Sequence, residues 1–327
     1  MKLVSVIVPI HNGQNVFMDC LESLVHQTLF AKGPDAMEII LVDDASTDHS
    51  LELIRKLESQ LPDKIRVLAL PENRGPGGAR NAGMAVAQGQ YIAFVDCDDA
   101  VAPTTMEKLY AAATEAETPY DIVECGFFSG IYKKGMSFGN DNVTGTLDDD
   151  KRSELIALGG NVWGRVYRRS FLEEHQMQFR EKILVEDLDF FVKTSALARN
   201  YNLVKEVLYD YRDTPGSAVK YASLMALLQN DLAAVKACGQ VAAEIEGFSK
   251  FREGLDFVLV NTYETSRKQW NGYRSKIPTR EERLQCKGAL EALRQEILGL
   301  LPEDWRQNPF LLKKYGKKQA AKLLEQA

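Results

Sequence analysis

The sequence predicts an α/β fold: a mostly parallel, Rossmann-like sheet with helices on both faces, followed by a C-terminal helical region. Three observations predict it. Short, continuously apolar runs rich in β-branched residues recur four times in the first hundred residues, the pattern of strands buried on both faces. Segments with helical apolar spacing separate them, and that alternation makes a parallel sheet with crossover helices. From Tyr221 onward the chain reads as helices.

The elements follow in order. "LVSVIVP" (3–9) is the first strand, and "NVFMDCLESLVHQTL" (15–29) the first helix, with Val16, Cys20, Leu24 and Leu29 near helical spacing. "MEIILVD" (37–43) is the second strand. Ser46 or Thr47 caps a helix over 48–61, whose apolar face is Leu51, Ile54, Leu57 and Leu61. "KIRVLAL" (64–70) is the third strand. The loop "PENRGPGG" then opens a helix, "ARNAGMAVAQG", that stops at Gly89. "YIAFVDCDD" (91–99) is the fourth strand, and Pro103 leads into a helix over 104–116. The middle is less regular. "DIVECGFF" and "NLVKEVLYDYR" read as strands, and "SELIALGGNVWGRVYRRSFLEEH" as helical in parts, broken at Gly159-Gly160.

Bulk properties narrow the function. The 327 residues are 45% hydrophobic and 26% charged, an ordinary soluble composition that buries a core without staples. A net charge of −6 argues against a nucleic-acid partner. Five cysteines without metal-like spacing point to reduced thiols and a cytoplasmic location. The N-terminal apolar run has no small-residue cleavage site after it and reads as a strand rather than a signal peptide. No apolar stretch approaches the ~18 residues needed to span a bilayer.

Each early strand ends in something polar: His11 and Asn12, Asp43 and Asp44, Asn73, then Asp96, Asp98 and Asp99. Ligands of such sheets bind outside the carboxyl ends of the strands, so these side chains line a binding mouth. Three carboxylates within "DCDD" repel one another unless water or a cation separates them. In a continuing strand Asp96 and Asp98 face one side, a pair that suits Mg²⁺ or Mn²⁺ with room left for phosphate oxygens. The alternative is a solvated turn with Asp99 capping the next helix. In "VDDASTD" a carboxylate can accept hydrogen bonds from a nucleobase or a ribose hydroxyl, or be a turn acid. The Gly-rich loop lacks the Gly-Lys-Ser/Thr of a P-loop and is not a dinucleotide fingerprint. Arg80 is misplaced for the helix dipole and so faces an anion or a carboxylate.

Taken in order and spacing, "VSVIVPIHNGQNVFMDCLESLVHQT", "IILVDDASTD", "NRGPGGARNAG" and "YIAFVDCDD" resemble the GT-A glycosyltransferases of family 2 over about residues 1–105. "NVWGRVYRRSFLEEHQMQFREKILVEDLDFF" and "YRDTPGSAV" extend the resemblance to about 217. It implies a domain over 1–217, with a nucleotide-binding half (1–100) and an acceptor-side half (101–217), and a helical region over 218–327.

The resemblance also implies roles. Pro9, His11 and Asn12 border the nucleobase, with His11 in place of the usual aromatic and Gln14 in place of a frequent acid. Asp44 reads the base beside Asp43, and Ala45 replaces the commoner glycine. Asn73 and Arg80 lie near the donor nucleotide. Asp98 binds the metal on the diphosphate, Asp96 meets ribose or the metal through water, and Asp99 lies near the donor sugar or acceptor. In "LVEDLDFF" Asp187 is the general base, with Glu186 next to it, although both fit a helix's acidic first turn. Trp163 either stacks on an acceptor sugar or fills the core. Arg212 and Ser217 belong to a segment that closes over the diphosphate. The implied activity is metal-dependent, inverting transfer from a nucleotide sugar. UDP is favoured by family habit, with GDP and dTDP open. The acceptor is a glycan, lipid or protein, as in surface-polymer synthesis. A nucleotidyltransferase and a non-catalytic nucleotide-sugar- or glycan-binding protein on the same fold are the competing classes.

The tail "FLLKKYGKKQAAKLLEQA" sets Leu311, Leu312, Tyr315, Leu323 and Leu324 among five lysines. It reads either as a basic amphipathic helix resting on the inner membrane face, or as a helix packed on its own domain or on a second copy of the chain.

Overall fold

The computed structural model describes residues 2–33, 35–214 and 223–324. The chain divides into two compact units. The first comprises Met1–Leu147, Gly160–Phe190 and Leu197–Pro215; the second comprises Asp148–Gly159, Phe191–Ala196 and Gly216–Ala327.

In the first unit, strands β1 (Val4–Ile10), β2 (Met37–Asp43), β3 (Ile65–Ala69), β4 (Tyr91–Phe94), β5 (Ala100–Val101), β6 (Ile122–Ser129), β9 (Arg165–Arg168) and β10 (Asn200–Tyr211) run in the order β3-β2-β1-β4-β9-β6-β10-β5. Two short strands lie off this path: β7 (Lys134–Met136) pairs with β6, and β8 (Gly145–Thr146) with β10. The long ladders are parallel: β1–β2, β2–β3, β1–β4 and β6–β10. The antiparallel ones span two or three residues each. Every residue of β1 and β2 is buried, which is why those runs are mostly apolar; the buried Ser5 hydroxyl donates to the buried Glu38 carboxylate between them. Helices α1 (Phe17–Val25), α2 (Ser50–Gln60), α3 (Gly75–Val86) and α4 (Thr105–Ala113) occupy the connections.

Several elements differ from the sequence expectation, each for a local reason. The first helix stops at Val25, and a 3₁₀ turn follows at Thr28–Lys32. Gln27 between them is extended, because its side chain bonds the Ser23 and Ala102 carbonyls and the Met106 N–H. Neither Ser46 nor Thr47 caps α2. The N-cap is His49, which makes no side-chain cap bond; Asp48 Oδ1 accepts the Ser50 N–H at 2.9 Å in the turn before the helix, while Ser46 Oγ accepts the Asn12 N–H. The Gly-rich stretch is no loop before a helix, because α3 starts at Gly75 and ends at Val86, short of Gly89. The segment read as partly helical contains β9, inserted antiparallel between β4 and β6. Gly164 enters it at φ 69°, a conformation glycine adopts without strain.

The fourth strand does not continue through the acids. It ends at Phe94, and the Asp99 N–H bonds the Asp96 carbonyl in a turn that leads into β5. Proline explains where it ends. The Val95 N–H bonds the Ile7 carbonyl, and the next β1 donor on that side belongs to residue 9. Pro9 has no N–H to give, so the β1–β4 ladder stops and the chain leaves the sheet at the acids.

After α6 (Arg169–Glu174) and α7 (Leu188–Leu197), the second unit is helical: α8 (Leu224–Glu244), α9 (Arg252–Tyr273), α10 (Arg280–Leu300), α11 (Pro309–Tyr315) and α12 (Lys317–Ala320) accompany α5 (Asp149–Leu158). None of the described helices is long and apolar enough to cross a membrane. The tail's apolar residues are not on offer to lipid. Leu311, Leu323 and Leu324 are at most 2% exposed, Arg294 holds the Leu324 carbonyl at 2.9 Å, and Lys314 and Tyr315 both bond Asn261. Burial of each leucine contributes ~1.5–3 kcal/mol in place, and hydrocarbon would return no more. The packing is that of the alternative reading, a helix packed on its own domain: these side chains belong to the helical unit's own core.

Candidate active site

The carboxyl ends of the early strands meet at two polar clusters in the first unit. The outer one is built on β1, β2 and the start of α3. His11, Asn12 and Asn73 are exposed there. His11 Nδ1 lies 2.8 Å from the Asp44 carbonyl, and Nε2 lies 3.1 Å from the Asn12 amide nitrogen. Asn12, at φ 52°, accepts the Thr47 N–H at 2.8 Å. Asn73 stands 3.1 Å from His11 and accepts the Gly75 N–H. The result is a fixed imidazole facing solvent, with amides around it.

Beneath it, Asp44 accepts the Arg74 N–H at 2.7 Å. Burial pushes its carboxyl up, and the Arg74 and Gly75 N–H groups oppose this. Asp44 thus already closes the start of α3. Asp43 is buried; Oδ2 accepts the Ser46 N–H, and Oδ1 has no hydrogen-bond partner among the described residues. Pro9 is buried in β1 and shapes the mouth through the backbone.

The inner cluster centres on Arg80. Its guanidinium is 5% exposed, with Nη2 2.7 Å from Asp96 Oδ1 and Nη1 on Glu186. Arg80 therefore faces carboxylates, two of them, and one comes from 106 residues away. Glu186 is buried; burial pushes its carboxyl up to about 7 against the pull of Arg80. Asp187, half-buried beside it, is raised by burial, lowered by Arg80, and raised by Asp96 and Asp189. The acidic-first-turn reading fits only Asp189, which lies inside α7 and pairs with Arg180 at 2.7 Å; Glu186 and Asp187 precede the helix.

Asp99 does not face the mouth. It is 1% exposed, accepting the Tyr209 hydroxyl at 2.7 Å and the Arg212 N–H at 2.9 Å. Burial and the neighbouring Asp96 push its carboxyl up to about 8. Asp99 anchors the turn through these two bonds. Tyr209, which the sequence reading missed, ties both ends of that turn, since its hydroxyl also accepts the Asp96 N–H. Trp163 stacks on Tyr209 and Tyr211 with ring centroids 4.5 and 5.2 Å away and is 7% exposed, so it is core. Arg212 meets Asp19 at 2.6 Å and Asp210 at 3.2 Å. Ser217 lies outside the described residues.

Asp96 and Asp98 are half-buried in the turn rather than on one strand face. No group of three His, Cys, Asp or Glu able to hold a metal occurs among the described residues. The donor set fits a hard cation that keeps water and brings phosphate oxygens with it, as Mg²⁺ does with one or two carboxylates; it does not fit an all-protein cage.

A Rossmann-like sheet with acids massed at its strand ends, beside a carboxylate-bearing segment over a shared arginine, defines a GT-A-type transferase. The glycosyl transferase family 2 model matches residues 5–175. EpsH of Bacillus subtilis (strain 168) is 31% identical over 265 residues, covering 79% of this chain and 74% of EpsH. The poly(ribitol-phosphate) beta-glucosyltransferase of Bacillus spizizenii is 27% identical over 244 residues, covering 72% of this chain and 37% of that longer protein. The chain belongs to glycosyl transferase family 2 and is a glycosyltransferase. The fold is shared with S. aureus TarS 1-349 in complex with UDP-GlcNAc, at a TM-score of 0.69 and 22% identity over 98% of this chain and 89% of that one. It is also shared with the mannosyltransferase PcManGT from Pyrobaculum calidifontis in complex with GDP-Man and Mn²⁺, at 0.56 and 16% over 97% and 84%.

Proposed function

We propose that the chain transfers a sugar from a nucleoside diphosphate, UDP in the first instance, to a hydroxyl of a surface-polymer or lipid-linked glycan acceptor, with inversion at the anomeric carbon. Residues 1–100 take the donor, 101–217 the acceptor, and 218–327 form the accompanying helical region. The observation that carries this reading is the joint fixing of Asp96 and Glu186 on Arg80, with Asp187 next to Glu186 in the chain and within the field of the same cation.

His11 offers a rigid, exposed ring on which a nucleobase can stack. Asn12 and Asn73 present amides at its edge, and the buried Asp43 Oδ1 beneath has no hydrogen-bond partner among the described residues. Asp98, with Asp96 behind water, would hold Mg²⁺ or Mn²⁺. When bound, the ion neutralises charge developing on the leaving diphosphate. Asp187 takes the proton of the acceptor hydroxyl as its oxygen bonds to the anomeric carbon and the bond to the diphosphate breaks. Glu186 stays with Arg80 and holds its neighbour in place. Arg212 exchanges Asp19 for the diphosphate.

The test is a panel of UDP-, GDP- and dTDP-sugars in thermal shift, with Mn²⁺ or EDTA, for the wild type and Asp98→Asn. A UDP-sugar shift that EDTA and Asp98→Asn both abolish is expected. Unchanged UDP affinity of Asp98→Asn in Mn²⁺ would sink the metal assignment. Inversion is read separately by NMR of the sugar released to water before mutarotation.

A further inference from the structure

The motif "NRGPGGARNAG" contains one side chain that the reading above leaves without work: Asn81. It lies on α3, one residue past Arg80, and does not face the donor cluster. Its amide instead makes a reciprocal pair of hydrogen bonds with the backbone of Phe179, Nδ2 donating to the carbonyl at 2.9 Å and Oδ1 accepting the N–H at 2.9 Å. That pairing satisfies both backbone groups of a residue outside any strand or helix.

Phe179 is where such a clamp has leverage. Its buried ring stacks on Phe190 with centroids 3.9 Å apart and meets Phe94 edge-on at 5.2 Å. Arg80 lies over the same ring at 5.4 Å. Phe94 is the last residue of β4, just before Asp96, and Phe190 lies three residues after Asp187. One ring therefore touches the segment carrying Asp96, the segment carrying Asp187, and the arginine between them. The surrounding contacts restrict the same stretch. Arg74 pairs with Glu181, and a Cβ on Gly77 would come within 2.0 Å of the Arg180 carbonyl, so helix and segment are in backbone contact.

We propose that Asn81 is a positioning residue for glycosyl transfer: its two hydrogen bonds to Phe179 set where Asp187 stands relative to Asp96. This rests on Asp187 being the general base. It predicts that Asn81 controls turnover and leaves donor affinity alone, since the side-chain hydrogen bonds of Asn81 go to Phe179 and, at 3.3 Å, to Glu181, neither of which is assigned to the nucleotide.

The experiment uses the full chain and four forms: wild type, Asn81→Ala, Asp187→Asn and the double variant. UDP affinity and stoichiometry in Mn²⁺ are measured by calorimetry. UDP release is measured with whichever of UDP-glucose, UDP-galactose and UDP-GlcNAc the wild type turns over fastest. The stoichiometry corrects each rate for the competent fraction. Asn81→Asp is made alongside, because it keeps the shape and the acceptor for the Phe179 N–H while turning the donor into an acceptor, and it serves if the alanine variant does not fold. The expected result is a fall in kcat of ~10-fold or more in both Asn81 variants, UDP affinity within twofold of wild type, and a double variant no slower than Asp187→Asn alone. A kcat within twofold of wild type, a parallel loss of UDP affinity, or losses that multiply in the double variant would each overturn the proposal. A full-speed Asp187→Asn would overturn the base assignment itself, whatever the Asn81 variants do.

Discussion

Arg80 Nη2 lies 2.7 Å from Asp96 Oδ1, and the guanidinium's other terminal nitrogen holds Glu186. A buried cation shared by two acids makes its removal costlier than the loss of one pair, because two carboxylates are left uncompensated. Arg80→Met is expected to destabilise the first unit by about 3–5 kcal/mol. Arg80→Lys, which keeps the charge but cannot bridge two carboxylates with fixed geometry, should lose less stability and still lose most turnover. Chemical denaturation with UDP-release rates checks both; equal stability of wild type and Arg80→Met would refute the shared-cation account.

Gly77→Ala tests the backbone contact beneath the catalytic segment. A Cβ there would sit 2.0 Å from the Arg180 carbonyl and 3.1 Å from Glu186 Cγ. Overpacking of this kind costs about 1–3 kcal/mol, and the segment it displaces carries Asp187, so Tm and kcat should fall together. Gly288→Ala is the control: in α10, nothing lies within 4 Å of its added Cβ, and a gain of ~1 kcal/mol is expected from helix propensity.

Ala45 stands where the family pattern has glycine, and its φ is 53°. A left-handed alanine costs roughly 1–2 kcal/mol, partly offset by the greater freedom glycine has in the unfolded chain. Ala45→Gly should therefore leave stability unchanged or raise it by up to about 1 kcal/mol, read as a shift in denaturant midpoint at constant slope. A loss would mean the methyl group packs favourably in that turn.

The pH dependence follows from the acids around Arg80. Glu186 is held at about 7, above its ordinary 4.5, chiefly by burial. Its folded-state value exceeds its unfolded one, so its contribution to stability is complete below about pH 4.5 and is lost as pH rises through about 7. Glu186→Gln should remove that slope. Turnover runs the other way under the proposed mechanism, in which Asp187 accepts a proton only once ionised, and its carboxyl is also raised. The rate should climb with pH in the wild type. In Glu186→Gln, with one neighbouring negative charge gone, the rise should move to lower pH. A rise at unchanged pH would separate Glu186 from the base.

The parallel half of the sheet was legible because its buried strands β1, β2 and β4 are short runs dominated by apolar residues, and because polar residues, from His11 to Asp98, follow at their ends. What was not legible depends on distant partners. Nothing near Arg80 in the chain announces Glu186, and only the fold shows that the cation meets two acids. Asp99 looks like Asp98 in sequence and differs because Tyr209 and the Arg212 N–H turn it inward. β9 was missed because four residues between helical patterns carry too little periodicity to read. The loop reading of the glycine run failed, since α3 already starts at Gly75 and close approach of that helix to the Phe179–Glu186 segment is what requires Gly77.

The central claim is that Asp187 is the base of a sugar-transfer site whose donor subsite is separate from it. Its most direct test is the turnover of Asp187→Asn set against UDP affinity in Mn²⁺, measured on the same preparation. The account predicts affinity within about twofold of wild type and a rate lower by about 10²-fold or more. Full-speed transfer by Asp187→Asn, with UDP still bound, would contradict it and move the base to another carboxylate.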